Sequence, residues 1–278
     1  VSDEEDCSVA DGRDNVIQET AAFRCGLFDT TDNGGPLVPA GHFVNRFKSL
    51  KSDPSKVIVA TIAGDSLATN PADVICLQET KAEQAQVDTT TLKIAGYPYI
   101  YFHSAEKKGY SGVAILSKKE PLKITEGCGN PLYDCEGRVL RADFEDCSVM
   151  SVYMPSGSSG EDRQAFKMKW LDYFFDYIQQ LRYAYPRLVI CGDYNICHQA
   201  IDIHDPKGNA KSSGFLPEER DWMEKLFTNG WTDAFRTINP HPHQYTWWTF
   251  RAGARSKNKG WRIDYCVVSD DLKPNIHA

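Results

Sequence analysis

Short apolar runs punctuated by turn residues dominate the chain from Ala72 onward. "DVICLQ", "GVAILS", "RVLRADF", "SVMSVYM", "RLVICGD" and "RIDYCVVS" mix alternating with continuously apolar stretches, as expected of strands in paired sheets with one covered face. Two longer segments carry a helical period instead. In "EDRQAFKMKWLDYFFDYIQQLRYAYP", Phe166, Trp170, Phe174, Ile178 and Leu181 form one apolar stripe. "LPEERDWMEKLFTNG" has Pro217 near its first turn, acids after it, and Gly230 where a left-handed cap belongs. Strands in two sheets with helices outside predict an α/β sandwich.

Residues 1 to about 54 are acidic at first and then rich in Gly, Pro, Asp and Thr, with little periodicity, and read as loop-like material. "KVIVATIAGDSL" follows as a candidate strand. The composition shift at residues 56–71 divides an N-terminal segment, 1–70, of no assigned function from a domain over 71–278. The chain starts at Val1 without a basic and apolar leader, so it reads as a processed or partial chain.

The 278 residues suffice for a sizeable core, and no apolar run approaches the roughly 20 residues that span a bilayer, so a soluble protein is expected. Its formal net charge of −7 excludes binding nucleic acid by bulk electrostatics but not through metal ions and a few local cations. Nine cysteines, an odd number without CxxC pairs, lie partly inside apolar runs. They read as buried thiols in a reducing compartment, which favours a cytoplasmic protein and no zinc cluster.

Several strand ends carry groups suited to phosphodiester hydrolysis, which needs charge neutralised, a water activated and a leaving oxygen stabilised. Glu79 follows "DVICLQ"; as a lone strand-end acid it is either a ligand for a hard cation or a solvated charge. Asp193 and Asn195 follow "RLVICG" and are either a water-activating and phosphate-binding pair or an Asx turn closing a strand. Tyr153 ends "SVMSVY" before a proline-directed turn, with its hydroxyl either at a phosphate or at the wet rim of a core. "DPKGN" presents Lys207 and Asn209 toward a phosphate backbone or toward solvent, and His198 and His204 lack zinc-type spacing. In "YTWWTFRAGARSKNKGWRIDY", Trp247, Trp248, Phe250 and Trp261 interleave with Arg251, Arg255, Lys257, Lys259 and Arg262. That pattern favours stacking on nucleic acid over a solvated loop. Asp264 follows, able to orient an imidazole or to sit hydrogen-bonded in the core.

Taken in order, "ICLQETK", "GYSGVAILSK", "EGRV", "VYMPSG", "ICGDYN", "IDIHDPKGN", "SGFLPEER", "GWTDAFR", "YTWW" and "GWRIDY" resemble the exonuclease III family of apurinic/apyrimidinic endonucleases, of the endonuclease/exonuclease/phosphatase superfamily. The resemblance runs from about Ala72 to Ser269. It implies a four-layer α/β sandwich of two packed mixed sheets flanked by helices, with the first and last strands open to being incomplete. It also implies Mg²⁺- or Mn²⁺-dependent cleavage of double-stranded DNA 5′ to abasic sites, with 3′–5′ exonuclease and 3′ phosphodiesterase action, by a monomer that is nucleoid-associated if bacterial.

By the same resemblance Glu79 is the metal-binding glutamate and Tyr153 the tyrosine of a YxPN motif. Asp193 and Asn195 are the GDxN pair, and Asp264 orients a catalytic histidine. Trp247, Trp261 and Ile263 wall an abasic-sugar pocket, and Asn209 contacts phosphate, which adds to the DNA-binding reading of Lys207 and Arg255 from their own stretches. Three departures accompany it: "VIVATIAGDSLATNPAD", with Asp65, stands where a WNVNG-type motif is expected; a closing Ser-Asp-His motif is not found; and Ser156 replaces the asparagine of YxPN. These imply weak Mg²⁺ binding and lower activity than a complete member, the alternatives being a catalytically impaired DNA-binding relative or a superfamily phosphatase.

Overall fold

The computed structural model describes residues 60–62, 72–87, 89–94 and 96–277. Asp65 and most of the N-terminal segment lie outside it. Each apolar run named above forms a strand. β1 (Ala60–Ile62), β2 (Val74–Gln78), β3 (Tyr99–His103) and β4 (Val113–Ser117) make an antiparallel sheet in the order β1-β2-β4-β3. The candidate strand near "KVIVATIAGDSL" is thus represented by a three-residue edge strand paired with β2. β5 (Lys123–Glu126), β6 (Val139–Asp143), β7 (Ser148–Tyr153), β8 (Leu188–Asp193), β9 (Trp231–Asp233) and β10 (Asp264–Ser269) form the larger sheet, ordered β5-β6-β7-β8-β10-β9. This sheet is mixed: β7 and β8 run parallel, their crossover made by the long helix described below, while its other pairs are antiparallel.

Among the described residues there are five α-helices: α1 (Thr89–Ile94), α2 (Pro131–Asp134), α3 (Glu161–Ala184), α4 (Pro217–Thr228) and α5 (Ala234–Ile238). α3 opens with Glu161 and Asp162, whose charges suit the positive end of its dipole. α4 opens on Pro217 and is followed by Gly230 at φ +88°, the left-handed stop its sequence predicts.

Side-chain alternation sorts the core into layers. Trp170, Leu171, Phe174 and Ile178 of α3 and Trp222, Met223 and Leu226 of α4 pack on Met150, Val152, Leu188, Ile190 and Val267 of the larger sheet. The opposite face of that sheet sends Leu140, Ala142, Val149, Val189, Cys191 and Val268 against Val74, Cys76, Val113 and Ile115 of the smaller one. Ile75, Ala114 and Leu116 then face outward to Leu92 of α1 and to Tyr97 and Ile100. Helix, sheet, sheet and helix are the four layers that the sequence implied, although the smaller sheet is antiparallel throughout its described strands. The described cysteines are free thiols, and among the described residues no helix is long and apolar enough to cross a membrane.

Candidate active site

Strand periodicity assembles the site. Residues 149, 151 and 153 of β7, 189, 191 and 193 of β8, and 264, 266 and 268 of β10 share a parity, so they point between the sheets. Deep in the layer these positions are mostly apolar. At the open end they become Tyr153, Asp193 and Asp264. The register places Tyr153 beside Asp193 and Asp193 beside Asp264, so the three stand in a row across adjacent strands. Gly192 permits this close approach: a Cβ there would lie 1.8 Å from the Val152 carbonyl oxygen.

Glu79 reaches the same edge from the facing sheet. Along β2, Gln78 points inward and donates to Ser151 Oγ at 2.9 Å, so strict alternation would turn Glu79 away. Its φ of +53° breaks the alternation. Left-handed backbone costs a non-glycine residue about 1 kcal/mol or more and is found where a site requires it. The turn is held by backbone bonds from Thr80 to Gly112 and from Lys81 to Ser111, and Lys81 Nζ lies 3.2 Å from the Glu79 carboxylate.

Asn195 is a second left-handed residue, at φ +51°. Its N–H donates to Asp193 Oδ1 at 2.7 Å, and its side-chain amide donates to the Met154 carbonyl at 2.9 Å. The Asx turn that the sequence left open is present, and it orients the Asp193 carboxylate toward the same edge as Tyr153 and Asp264.

Burial dominates the electrostatics of this edge. Burial first, then the negative charge of Glu79, pushes Asp193 up to about 8, against the opposing pull of the Asn195 N–H, Lys167 and Arg138. Asp264 is raised well above the usual carboxylate range by burial and by the charge of Asp193. Tyr153 is raised by burial and by Glu79 and Asp193, with Arg138 opposing. Among the described residues neither Asp264 oxygen makes a hydrogen bond of full geometry, the Thr246 hydroxyl only tempering its proton affinity, and no imidazole is bonded to it.

The sequence reading missed the support beneath Tyr153. Arg138, buried, donates to the Tyr153 carbonyl at 2.9 Å and lies 4.7 Å over its ring. It also pairs with Glu136 at 2.5 Å and donates to the Tyr110 hydroxyl at 3.0 Å; Arg163 grips the same two residues from α3. "EGRV" was the signal available.

Two sequence readings need correction. Arg262 is not part of a basic surface: it is buried and bonds Asp202 and Asp233, both at 2.7 Å. Trp248 is also buried. Trp247, 40% exposed, remains on the surface with Phe250 and packs edge-on against Trp261 at 6.0 Å, while Ile263 sits under Trp261 in a cluster with Cys197, Ile203 and Phe215. Arg255 is exposed and lies 5.8 Å over the Trp248 ring. Lys207 is exposed in a turn closed by Asp205, whose Oδ1 accepts the Gly208 N–H at 3.0 Å. The Asn209 amide donates to the carbonyls of His204 and Asp205, both at 3.0 Å, so it shapes its own loop. His198 pairs with Glu224 at 2.9 Å.

The donors gathered at the edge are carboxylate and amide oxygens of Glu79, Asp193, Asp264 and Asn195, a hard set suited to Mg²⁺ or Mn²⁺. Two buried carboxylates pushed toward protonation are what a nearby cation would relieve. Among the described residues no three His, Cys, Asp or Glu converge to enclose an ion. The fit is therefore to a cation held by one or two carboxylates that keeps most of its waters.

An acid-rich edge between the sheets of a four-layer α/β sandwich has the chemistry of a metal-assisted hydrolase, and the relatives of this chain are of that class. A profile of the endonuclease/exonuclease/phosphatase family matches residues 44–275. The exodeoxyribonuclease of Bacillus subtilis is 44% identical over 211 residues, 76% of this chain and 82% of that protein. The DNA repair nuclease APEX1 of Danio rerio is 44% identical over 206 residues, 73% of this chain and 66% of that protein. The chain thus belongs to the endonuclease/exonuclease/phosphatase family, within its exonuclease III-like group of divalent-metal-dependent nucleases. Among solved structures, an AP endonuclease from Archaeoglobus fulgidus superposes with a TM-score of 0.67 at 29% identity, covering 73% of this chain and 78% of that one. A 3′ phosphatase from Neisseria, bound to a product DNA hairpin, does so with a TM-score of 0.69 at 28% identity, covering 75% and 80%.

Proposed function

We propose that this chain is a DNA-repair nuclease that hydrolyses phosphodiester bonds 5′ to abasic sites in double-stranded DNA. At 3′ ends it acts as a 3′–5′ exonuclease and 3′ phosphodiesterase, with Mg²⁺ or Mn²⁺ as its ion. The observation that carries this reading is the single edge on which Tyr153, Asp193 and Asp264 stand in register with Glu79 facing them. Relatives named exodeoxyribonuclease and DNA repair nuclease support the choice of substrate.

Glu79 would hold the cation, which when bound supplies positive charge to the scissile phosphate and to the departing oxygen. Asp193 accepts a proton from the attacking water; a proton affinity near neutral pH suits a general base, and the Asn195 N–H fixes the direction of its carboxylate. Tyr153, its ring pinned beneath Arg138, keeps its hydroxyl proton and donates to a non-bridging phosphate oxygen. The Asn195 amide, with one N–H committed to the Met154 carbonyl, offers its other N–H to the same phosphate. Asp264 offers two acceptor oxygens to whichever donor completes the edge. Trp247, Trp261 and Ile263 wall the sugar, and Lys207, Asn209 and Arg255 lie along flanking phosphates. The protein acts as a monomer in the reducing compartment that holds the DNA, a setting its free cysteines suit.

The test is nicking of a duplex with one abasic site. Cleavage is expected in Mg²⁺ or Mn²⁺, none in EDTA, and recovery when the ion is restored. Tight binding of the abasic duplex without cleavage in either ion would leave only a DNA-binding relative.

A further inference from the structure

Lys167 is a charge where the pattern of α3 calls for an apolar residue. Trp170, Leu171, Phe174 and Ile178 turn toward the larger sheet, and Lys167 lies on the same face one turn earlier, fully buried. Its ammonium donates to Glu219 Oε1 of α4 at 2.6 Å and to the main-chain carbonyl of Asn195 at 2.8 Å. Glu219 is likewise fully buried, and its other oxygen accepts the N–H groups of Gly214 at 2.6 Å and Leu216 at 2.9 Å.

Such a pair adds little net stability, because desolvating both charges offsets their attraction; well-packed apolar residues would join α3 to α4 at least as firmly. Apolar residues could not grip main-chain polar groups, and apart from the Gln164 amide and the Ser213 hydroxyl, which donate to Glu219 Oε1 at 3.2 and 3.4 Å, that is where the remaining bonds go. Lys167 holds the carbonyl of Asn195, the left-handed residue whose N–H orients Asp193. Glu219 holds Gly214 and Leu216, at the far end of the loop that begins at Asn195 and carries Lys207 and Asn209. One buried ion pair thus fixes both ends of that loop, and the Cys197 N–H to Gly214 carbonyl bond, 2.7 Å, closes it between them.

We propose that Lys167 and Glu219 are positioning residues for hydrolysis: without touching substrate, they hold Asn195, and through it Asp193, in the reactive geometry. The inference rests on the nuclease reading of that edge. Lys167→Met/Glu219→Gln removes both charges without leaving either buried alone. It is compared with wild type and Lys167→Arg by incision of an abasic duplex in Mg²⁺, thermal melting, and hydrogen exchange of the amides around Asn195 and Gly214. The double variant is expected to melt within a few degrees of wild type and to exchange faster around Asn195, whose carbonyl loses its donor, and less so at Gly214, whose N–H can still be accepted by the amide oxygen that replaces the Glu219 carboxylate. Its kcat should fall about tenfold, more than KM rises. Lys167→Arg, which keeps a cation able to reach both acceptors, is expected to restore kcat and slow exchange.

Wild-type kcat and exchange in the double variant would overturn the proposal. So would a double variant that fails to fold, because the pair would then be joining helices, and so would a Lys167→Arg protein as impaired as the double variant. If wild type itself does not cut, the nuclease reading falls, and the exchange comparison alone decides the clamp.

Discussion

Raising the pH should destabilise the metal-free protein, because the folded state holds protons at the acid-rich edge that the unfolded chain releases. Asp193 rises from 3.8 to about 8 on folding, through burial and then the charge of Glu79, and Asp264 is raised for related reasons. Between about pH 4 and 8 the folded protein therefore binds more protons than the unfolded one. The stability associated with these groups is present at the acid end and is lost as pH rises through the folded value. One retained proton corresponds to about 1.4 kcal/mol per pH unit. For a domain of this size, 1 kcal/mol moves Tm by about 2–4 °C, so wild type in EDTA should lose roughly 3–6 °C per pH unit relative to a variant lacking the carboxylate. Asp193→Asn supplies that variant: its amide oxygen can still accept the Asn195 N–H, while the charge that raises Asp264 is gone. The assay is thermal melting in EDTA from pH 5.5 to 7.5, repeated in Mg²⁺. The wild-type curve should fall more steeply than that of Asp193→Asn, and Mg²⁺ should flatten it by binding the ionised site. Parallel curves in EDTA would refute the electrostatic account.

Glu79→Gln should raise the Mg²⁺ concentration needed for half-maximal incision, and in EDTA it should melt higher than wild type at pH 7.5, because one of the repelling charges is gone; a titration and a melt measure both. Gly192→Ala drives a methyl toward the Val152 carbonyl and should cost about 3 kcal/mol or more in denaturant unfolding. Trp247→Ala should weaken binding of abasic duplex by about 1–3 kcal/mol with an unchanged salt slope, whereas Lys207→Ala should reduce that slope by about 0.9, both read from binding isotherms at several salt concentrations.

The strands that build the site were legible because each is a run of apolar residues bounded by turns, and β2, β4, β6, β7, β8 and β10 all lie where those runs predict. β3, with its aromatic "YIYFH", and the short β5 and β9 escaped notice because a sheet edge imposes a weak pattern. Glu79, Asp193 and Asp264 could be named from their flanks, but their adjacency could not, since it depends on a strand order that joins β8 to β10 across α4 and β9. Long-range ion pairing explains the two clearest misses. Arg262 looked like one more cation of a basic run, but its partner Asp202 lies 60 residues upstream. Lys167 is separated from Glu219 by 52 residues, and only its place on the buried stripe of α3 hinted that it was not a surface lysine.

Single-turnover incision of an abasic duplex by wild type and Asp193→Asn, with binding measured in parallel, tests the assignment of this edge most directly. In Mg²⁺ the substitution should slow cleavage by at least about a hundredfold while DNA affinity changes little, as expected for a group needed in the transition state. Equal rates for the two proteins, or cleavage by wild type that persists in EDTA, would contradict the account.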